Sequence, residues 1–366
     1  MKPRVIAFYL PQYHPIPEND AWWGKGFTEW TNVTKARPLF RGHYQPHLPA
    51  DLGFYDLRVA ESREAQAELA REYGITGFCY YHYWFAGKRL LNRPFDEVLT
   101  SGRPNFPFCL CWANENWTRI WDGGECDVLM EQTYSEDDDR AHIRWLARAF
   151  ADPRYIRVEN KPLFIIYRAR DLPDIRETTA IWRDECRRLG IGEVFLCRID
   201  TGADELPPKE VGLDAAVEFH PNPWVVGARL GSHRLREFQW NDLRFFLRRK
   251  LLGEEIIAHS YRHLVSSVSR RIQANYLRFP CVTPSWDNSP RRRRNPVVFI
   301  ESSPKLFHHW LVETLAELMK SRNTPHILFL NAWNEWAEGN HLEPDQRYGR
   351  AYLEALKEAL RSVDGG

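Results

Sequence analysis

Eight short apolar runs most constrain what this chain can fold into. They lie at residues 5–10, 77–81, 108–112, 163–167, 194–198, 215–219, 281–285 and 327–331, and each ends in polar or aromatic residues. Their length suits strands. Their apolarity is continuous rather than alternating, which predicts strands buried on both faces of a parallel sheet. Most are followed by a helical pattern, with candidate helices over 57–72, 136–150, 174–189, 261–276, 304–320 and 346–360. Eight strands alternating with helices close a barrel, so the pattern predicts an α/β fold of the (β/α)8 TIM-barrel type with long βα-loops. At 366 residues the chain exceeds the usual domain size, yet one barrel reaches it when its loops are long. No repeat, low-complexity tract or linker divides the sequence, and residues 1–366 read as a single catalytic domain.

A barrel of this type carries its chemistry at the C-terminal ends of its strands and in the loops that follow. Two of those loops, 24–51 and 222–260, are long enough to build or cover a site. The densest chemistry follows the last run: Asn331-Ala332-Trp333-Asn334-Glu335-Trp336-Ala337-Glu338-Gly339. On a helical turn, residues three apart have Cβ atoms roughly 5–6 Å apart, close to the carboxyl separation of retaining glycosidases. Such a pair supplies one acid and one base, and the adjoining indoles can stack on sugar rings. Glu335 and Glu338 are therefore the candidate catalytic residues. The competing structural reading makes Glu338 a first-turn acid that meets the helix dipole and Glu335 a solvated loop residue.

Polar and aromatic groups at the other exits are candidates for holding sugar hydroxyls: Tyr13, His14, Glu29, Trp30, His82, Tyr83, Trp84, Asn114, Glu115, Trp117, His220, Trp286 and Asp287, with Asn334 and Trp336 in the motif itself. Any one of them could equally be a cap or turn residue. The chain has 15 Trp, most placed just after apolar runs, where a binding mouth would use them.

Composition excludes other classes. Lys plus Arg total 50 against 49 for Asp plus Glu, so no global charge points to nucleic acid or a membrane surface. The seven cysteines are scattered without metal spacing, which predicts small buried hydrophobes in a reducing compartment. The apolar run at the N-terminus is too short for a secretory segment or a membrane span, and the expectation is a cytoplasmic protein with no transmembrane segment, peripheral association with the inner membrane being left open. No cofactor or metal is expected. Asp137-Asp138-Asp139 could be read as metal-binding, but a helix start explains it. Arg291-Arg292-Arg293-Arg294 is the densest basic patch, read either as a solvated loop or as a contact for a uronic acid, phosphorylated glycan or lipid-pyrophosphate carrier.

Five separated motifs carry a resemblance: Phe8-Tyr9-Leu10-Pro11-Gln12-Tyr13-His14, Gly26-Phe27-Thr28-Glu29-Trp30, Tyr80-Tyr81-His82-Tyr83-Trp84-Phe85, Trp112-Ala113-Asn114-Glu115-Asn116-Trp117 and Asn334-Glu335-Trp336-Ala337-Glu338-Gly339. In this order they resemble the WbsX-type proteins found with bacterial surface-polysaccharide genes, a family labelled glycosyltransferase by context. That family in turn resembles glycoside hydrolase family 99, the endo-α-mannosidases. The second resemblance implies a retaining mechanism through a 1,2-anhydro sugar, with Glu335 as base on the 2-hydroxyl and Glu338 as acid, on an α-mannoside or α-rhamnoside. Ala337 departs from the mannosidase pattern, which usually has His there, and puts mannose specificity in question. The partner implied is an oligosaccharide or polysaccharide, anionic and lipid-linked forms included. A nucleotide-sugar glycosyltransferase is the alternative, although no Gly-rich phosphate loop follows any strand, and a non-catalytic glycan-binding protein is the third reading.

Overall fold

The computed structural model describes residues 2–119, 124–200, 206–221, 256–268, 274–292, 294–320 and 324–364. Its main sheet contains β1 (Arg4–Tyr9), β2 (Gly77–Phe85), β3 (Phe108–Trp112), β4 (Lys161–Ile166), β5 (Phe195–Asp200), β6 (Ala215–Glu218), β7 (Arg278–Phe279), β8 (Cys281–Val282) and β9 (Ile327–Leu330). Parallel pairing runs β7-β6-β5-β4-β3-β2-β1-β9-β8, with Val5 opposite Leu328 and Phe8 opposite Cys79. Pro280 alone separates β7 from β8. It has no N–H to give to a ladder, but its carbonyl accepts the Phe329 N–H at 2.9 Å. The seventh strand is thus broken at the proline. Its first half pairs with β6 and its second with β9, which brings the two edges together into a nearly closed barrel.

All eight apolar runs fall on this sheet, and they are buried because both faces are covered. Residues 5–9 of β1, 108–112 of β3 and 327–330 of β9 are almost wholly removed from solvent. The α-helices among the described residues are α1 (Pro17–Trp23), α2 (Glu29–Lys35), α3 (Ala60–Glu72), α4 (Arg93–Ser101), α5 (Glu136–Phe150), α6 (Ile175–Arg188), α7 (Tyr261–Val268), α8 (Pro304–Lys320) and α9 (Ala351–Asp364). The sequence expectation matches α5 and α8 residue for residue. Expected residues 269–273 of the helix at α7 lie outside the described residues, as do 222–255 of the long loop after β6. Helix α9 starts later than expected because Asp345 draws the Arg347 and Tyr348 N–H groups into a turn at 2.9 and 2.6 Å. Helices α1, α2 and α4 were not expected. All three are short, and α1 and α4 have proline in their first turn, where proline starts a helix rather than breaking one.

The acidic run at 137–139 opens α5. Ser135 Oγ caps it by accepting the Asp138 N–H at 3.2 Å, while Asp138 takes Trp84 Nε1 at 2.9 Å and Asp139 takes the Thr178 hydroxyl at 2.8 Å. These partners explain the run without a metal. Cys79, Cys109, Cys111, Cys186, Cys197 and Cys281 are buried, as small core hydrophobes are. Among the described residues no helix is long and apolar enough to cross a membrane.

Candidate active site

Beyond β9 the chain makes a two-residue antiparallel pairing, Asn334 opposite His341 and Glu335 opposite Asn340. The 3₁₀ turn Trp336–Glu338 lies between the paired segments. A 3₁₀ turn repeats every three residues, so side chains at i and i+3 eclipse. Glu335, just before the turn, and Glu338, at its end, therefore face the same way. Gly339 closes the turn with φ +56°, and a Cβ there would come within 3.0 Å of Asp287 Cβ, so glycine is required on both counts.

Buried hydrogen bonds fix this turn to the barrel. Asn334 bonds both backbone groups of Leu10 at the end of β1, at 2.7 and 3.0 Å, and Tyr13 donates its hydroxyl to the Asn334 carbonyl. Trp336 Nε1 donates to Glu343 at 2.6 Å, and the same carboxylate accepts the Tyr55 hydroxyl at 2.8 Å and Gln66 Nε2 at 2.6 Å. Burial pushes Glu343 up to about 7 against these donors. On the far side, the Asp287 N–H reaches the Glu338 carbonyl at 2.6 Å, and the Asp287 carboxylate is held by His43 and Gln45, each at 2.6 Å.

Arg291 sits at the centre of the site. Its Nε donates to Glu29 at 2.7 Å, Nη2 to Glu335 at 2.9 Å, and Nη1 lies 2.8 Å from Glu338. One guanidinium thus serves three carboxylates. Burial pushes Glu335 up to about 8; Arg291 opposes this, and the charges of Glu338 and Glu29 add to it. Glu338 is raised by burial against the same arginine, with Glu29 adding. Two carboxylates held on one buried guanidinium are coupled, so they titrate as a pair. Glu338 is the more open, 20 % against 7 % side-chain exposure for Glu335.

The structure brings only some of the other candidates to this pair. Glu29 is wholly buried at the start of α2, against Arg291. Tyr83 lies within electrostatic reach of Glu335, Arg291 and Glu29, and Trp117 packs edge-on against it at 5.2 Å. Glu115 pairs with Arg168 at 2.6 Å and adds its charge near Glu338. His82 and Trp84 alternate with Tyr83 along β2 and therefore point to the opposite face. There His82 meets His142 Nε2 at 3.0 Å and Trp84 stacks on the His142 ring at 4.7 Å. Tyr13, Trp30, Asn334 and Trp336 support the turn, with Trp30 donating to the Tyr55 carbonyl at 2.8 Å and packing 5.5 Å from Trp336.

Asn114 is tied to the Arg168 backbone at 2.7 and 3.0 Å. His14 bonds the Pro11 carbonyl at 3.1 Å, and burial pushes it down to about 4. His220 packs on Trp310 at 5.2 Å behind the barrel. Trp286 and Asp287 line a separate cavity. Sequence reasoning missed Glu343, which lies outside the motif, and read Arg291 as one member of a surface patch. Its neighbour Arg293 lies outside the described residues.

A model of the family described as Glycosyltransferase WbsX matches residues 5–356. Two relatives from Xanthomonas campestris pv. campestris, strains B100 and ATCC 33913, both described as uncharacterized protein WxcX, are 45 % identical over 357 residues. The match covers 97 % of this chain and 49 % of theirs, so the chain spans about half the length of these relatives. Among solved structures, the GH99 endo-alpha-mannosidase from Bacteroides thetaiotaomicron superposes with a TM-score of 0.59 at 14 % identity, covering 99 % of this chain and 97 % of that one. A structure described as a glycoside hydrolase-like protein does so with 0.59 at 16 % identity, covering 98 and 94 %. The structural likeness is one of fold, the TIM barrel.

Proposed function

The chain belongs to the WbsX family, and we propose that it is a carbohydrate-active enzyme, a single catalytic domain that cleaves or transfers an α-linked 1,2-trans glycoside of a bacterial surface polysaccharide with retention. The observation that carries this reading is the placement of Glu335 and Glu338 on one face of a 3₁₀ turn at the barrel mouth, both raised by burial and both on Arg291. A coupled pair of buried carboxylates can supply an acid and a base together.

In the proposed reaction Glu335, in its carboxylate form, which gains population as pH rises toward 8, takes the proton of the sugar 2-hydroxyl. The 2-oxygen attacks C1 and forms a 1,2-anhydro sugar as the bond from C1 to the leaving oxygen breaks, and Glu338 gives that oxygen its proton. Glu338, now a carboxylate, takes a proton from water. The water oxygen bonds C1, the anhydro ring opens, and the 2-oxygen recovers its proton from Glu335. The greater openness of Glu338 suits the group that must meet the leaving sugar and then water. The 2-hydroxyl must lie trans to the leaving group, as in α-mannosides and α-rhamnosides. Arg291 holds one oxygen of each carboxylate, and the sugar would use the others. Because Arg291 already serves three carboxylates, its charge favours a neutral sugar ring over a uronic acid. Tyr83, Trp117, Glu115 and Glu29 are the proposed contacts to sugar hydroxyls and faces.

The family description favours a second reading, a glycosyltransferase that uses a nucleotide sugar. Mass spectrometry of the protein incubated with α-mannosyl and α-rhamnosyl oligosaccharides, with and without nucleotide sugars, separates the two. Shorter products without nucleotide, absent with Glu335→Gln, support the hydrolase or transglycosylase. Product only after nucleotide sugar is added supports the transferase instead.

A further inference from the structure

Behind the catalytic turn lies a cavity of about 290 Å³ that the proposed reaction does not use. Three of its lining residues, His47, His341 and Asp345, are buried and present one ligand atom each, all within 4.8 Å of one another. His47 Nδ1 stands 2.9 Å from His341 Nε2, and His341 Nε2 stands 3.9 Å from Asp345 Oδ2. The outer contacts orient these atoms. His341 Nδ1 lies 2.9 Å from the Glu343 carbonyl, an acceptor, so Nδ1 carries the hydrogen and Nε2 presents its lone pair to the cluster. The Asp345 Oδ1 accepts two backbone N–H groups, from Arg347 and Tyr348, which turns Oδ2 toward His341. The His341 Nε2 lone pair therefore accepts the His47 Nδ1 hydrogen and stands 3.9 Å from Asp345 Oδ2, a carboxylate that also bonds the Tyr44 hydroxyl, so a cation here would take the place of the hydrogen the two imidazoles share.

We propose that His47, His341 and Asp345 form a binding site for a divalent transition metal, with zinc as the cation that suits two imidazoles and one carboxylate. Zinc bonds to these groups measure about 2.0–2.2 Å, which at tetrahedral angles separates the ligand atoms by roughly 3.4 Å. Two of the observed separations, 2.9 and 3.9 Å, bracket that value and all three lie within 4.8 Å, so side-chain shifts of about 1 Å would complete the set. The hydrogen bond from His341 to a backbone carbonyl is the outer contact that metal-bound histidines make. Tyr44 and Tyr348 line the same cavity. The site also touches the catalytic turn, since the His341 ring stacks on Trp336 at 3.7 Å with 13° between planes. An occupied site therefore stiffens the segment that carries Glu335 and Glu338. No motif announces these ligands, because 294 positions separate His47 from His341.

The test is titration of the chelator-stripped full chain with Zn²⁺ against a chromogenic chelator, with Co²⁺ as spectroscopic probe and thermal unfolding as second readout. The expected result is one equivalent bound per chain, visible bands of four- or five-coordinate Co²⁺, and a raised Tm. His47→Ala and Asp345→Asn should each weaken binding roughly 100-fold or more while far-UV circular dichroism stays native. Less than one equivalent bound, or affinity unchanged in both folded variants, would overturn the site and leave a hydrogen-bonded histidine pair. Neither result bears on the sugar chemistry, which is read from products.

Discussion

At the scale of single residues, Arg291 governs how the two candidate catalytic carboxylates titrate. Replacing Glu335 or Glu338 by Gln removes the base or the acid, and each variant should lose roughly 2–4 orders of magnitude in turnover, read by single-turnover kinetics on a cleaved glycan. Arg291→Met leaves three buried carboxylates without their shared cation. Unfolding in urea should show a loss of about 3–5 kcal/mol, and the acid limb of the pH–rate profile should move up by about one unit or more because the pair holds its protons longer. An unmoved profile would mean that the arginine is not coupled to the reacting groups. Glu335 and Glu338 were legible in the sequence through their spacing and flanking tryptophans. Arg291 was not, because in a run of four arginines nothing in the pattern says which one turns inward.

At the scale of elements, the turn Trp336–Glu338 is held by Tyr13 and Tyr55 from the segments after β1, by Gln66 of α3 and by Glu343 beyond the turn. Glu343 gathers Tyr55, Gln66 and Trp336, and each buried donor left without an acceptor costs about 1–3 kcal/mol. Glu343→Leu should therefore lower the urea midpoint by the equivalent of several kcal/mol and slow turnover by loosening Trp336. A variant as stable as the parent would show that the cage does not support the turn. Strand β2 shows why ligand contacts were harder to read than strands. Its residues are continuously apolar or aromatic, so the sequence shows no alternation, and only the pairing reveals that Tyr83 faces the carboxylates while His82 and Trp84 face α5. Glu343 escaped notice because it is a lone carboxylate beyond the motif, with partners at distant positions.

At the scale of the whole molecule, the barrel was legible because eight apolar runs of similar length mark its strands. The break at Pro280 was not, since closure by two half-strands depends on which edges meet. The buried acids also leave a mark on overall stability. Glu335 and Glu343 keep protons in the folded chain up to about 8 and about 7, whereas their ordinary value is 4.5. Between 4.5 and 8 the folded state binds protons that the unfolded state has released, so their contribution to stability falls as pH rises through that window. Glu335→Gln should accordingly gain Tm relative to the parent at pH 8 and show little gain at pH 5, by differential scanning calorimetry at both values. An equal effect at both would show that Glu335 is not raised in the folded state.

The central claim is retention through the 2-hydroxyl, and time-resolved proton NMR of the first-formed product tests it most directly, using a cleaved α-glycoside and its 2-deoxy analogue. The account predicts that the α-anomer appears first, before mutarotation, and that the 2-deoxy analogue is not turned over. First appearance of the β-anomer, or ready cleavage of the 2-deoxy sugar, would contradict it.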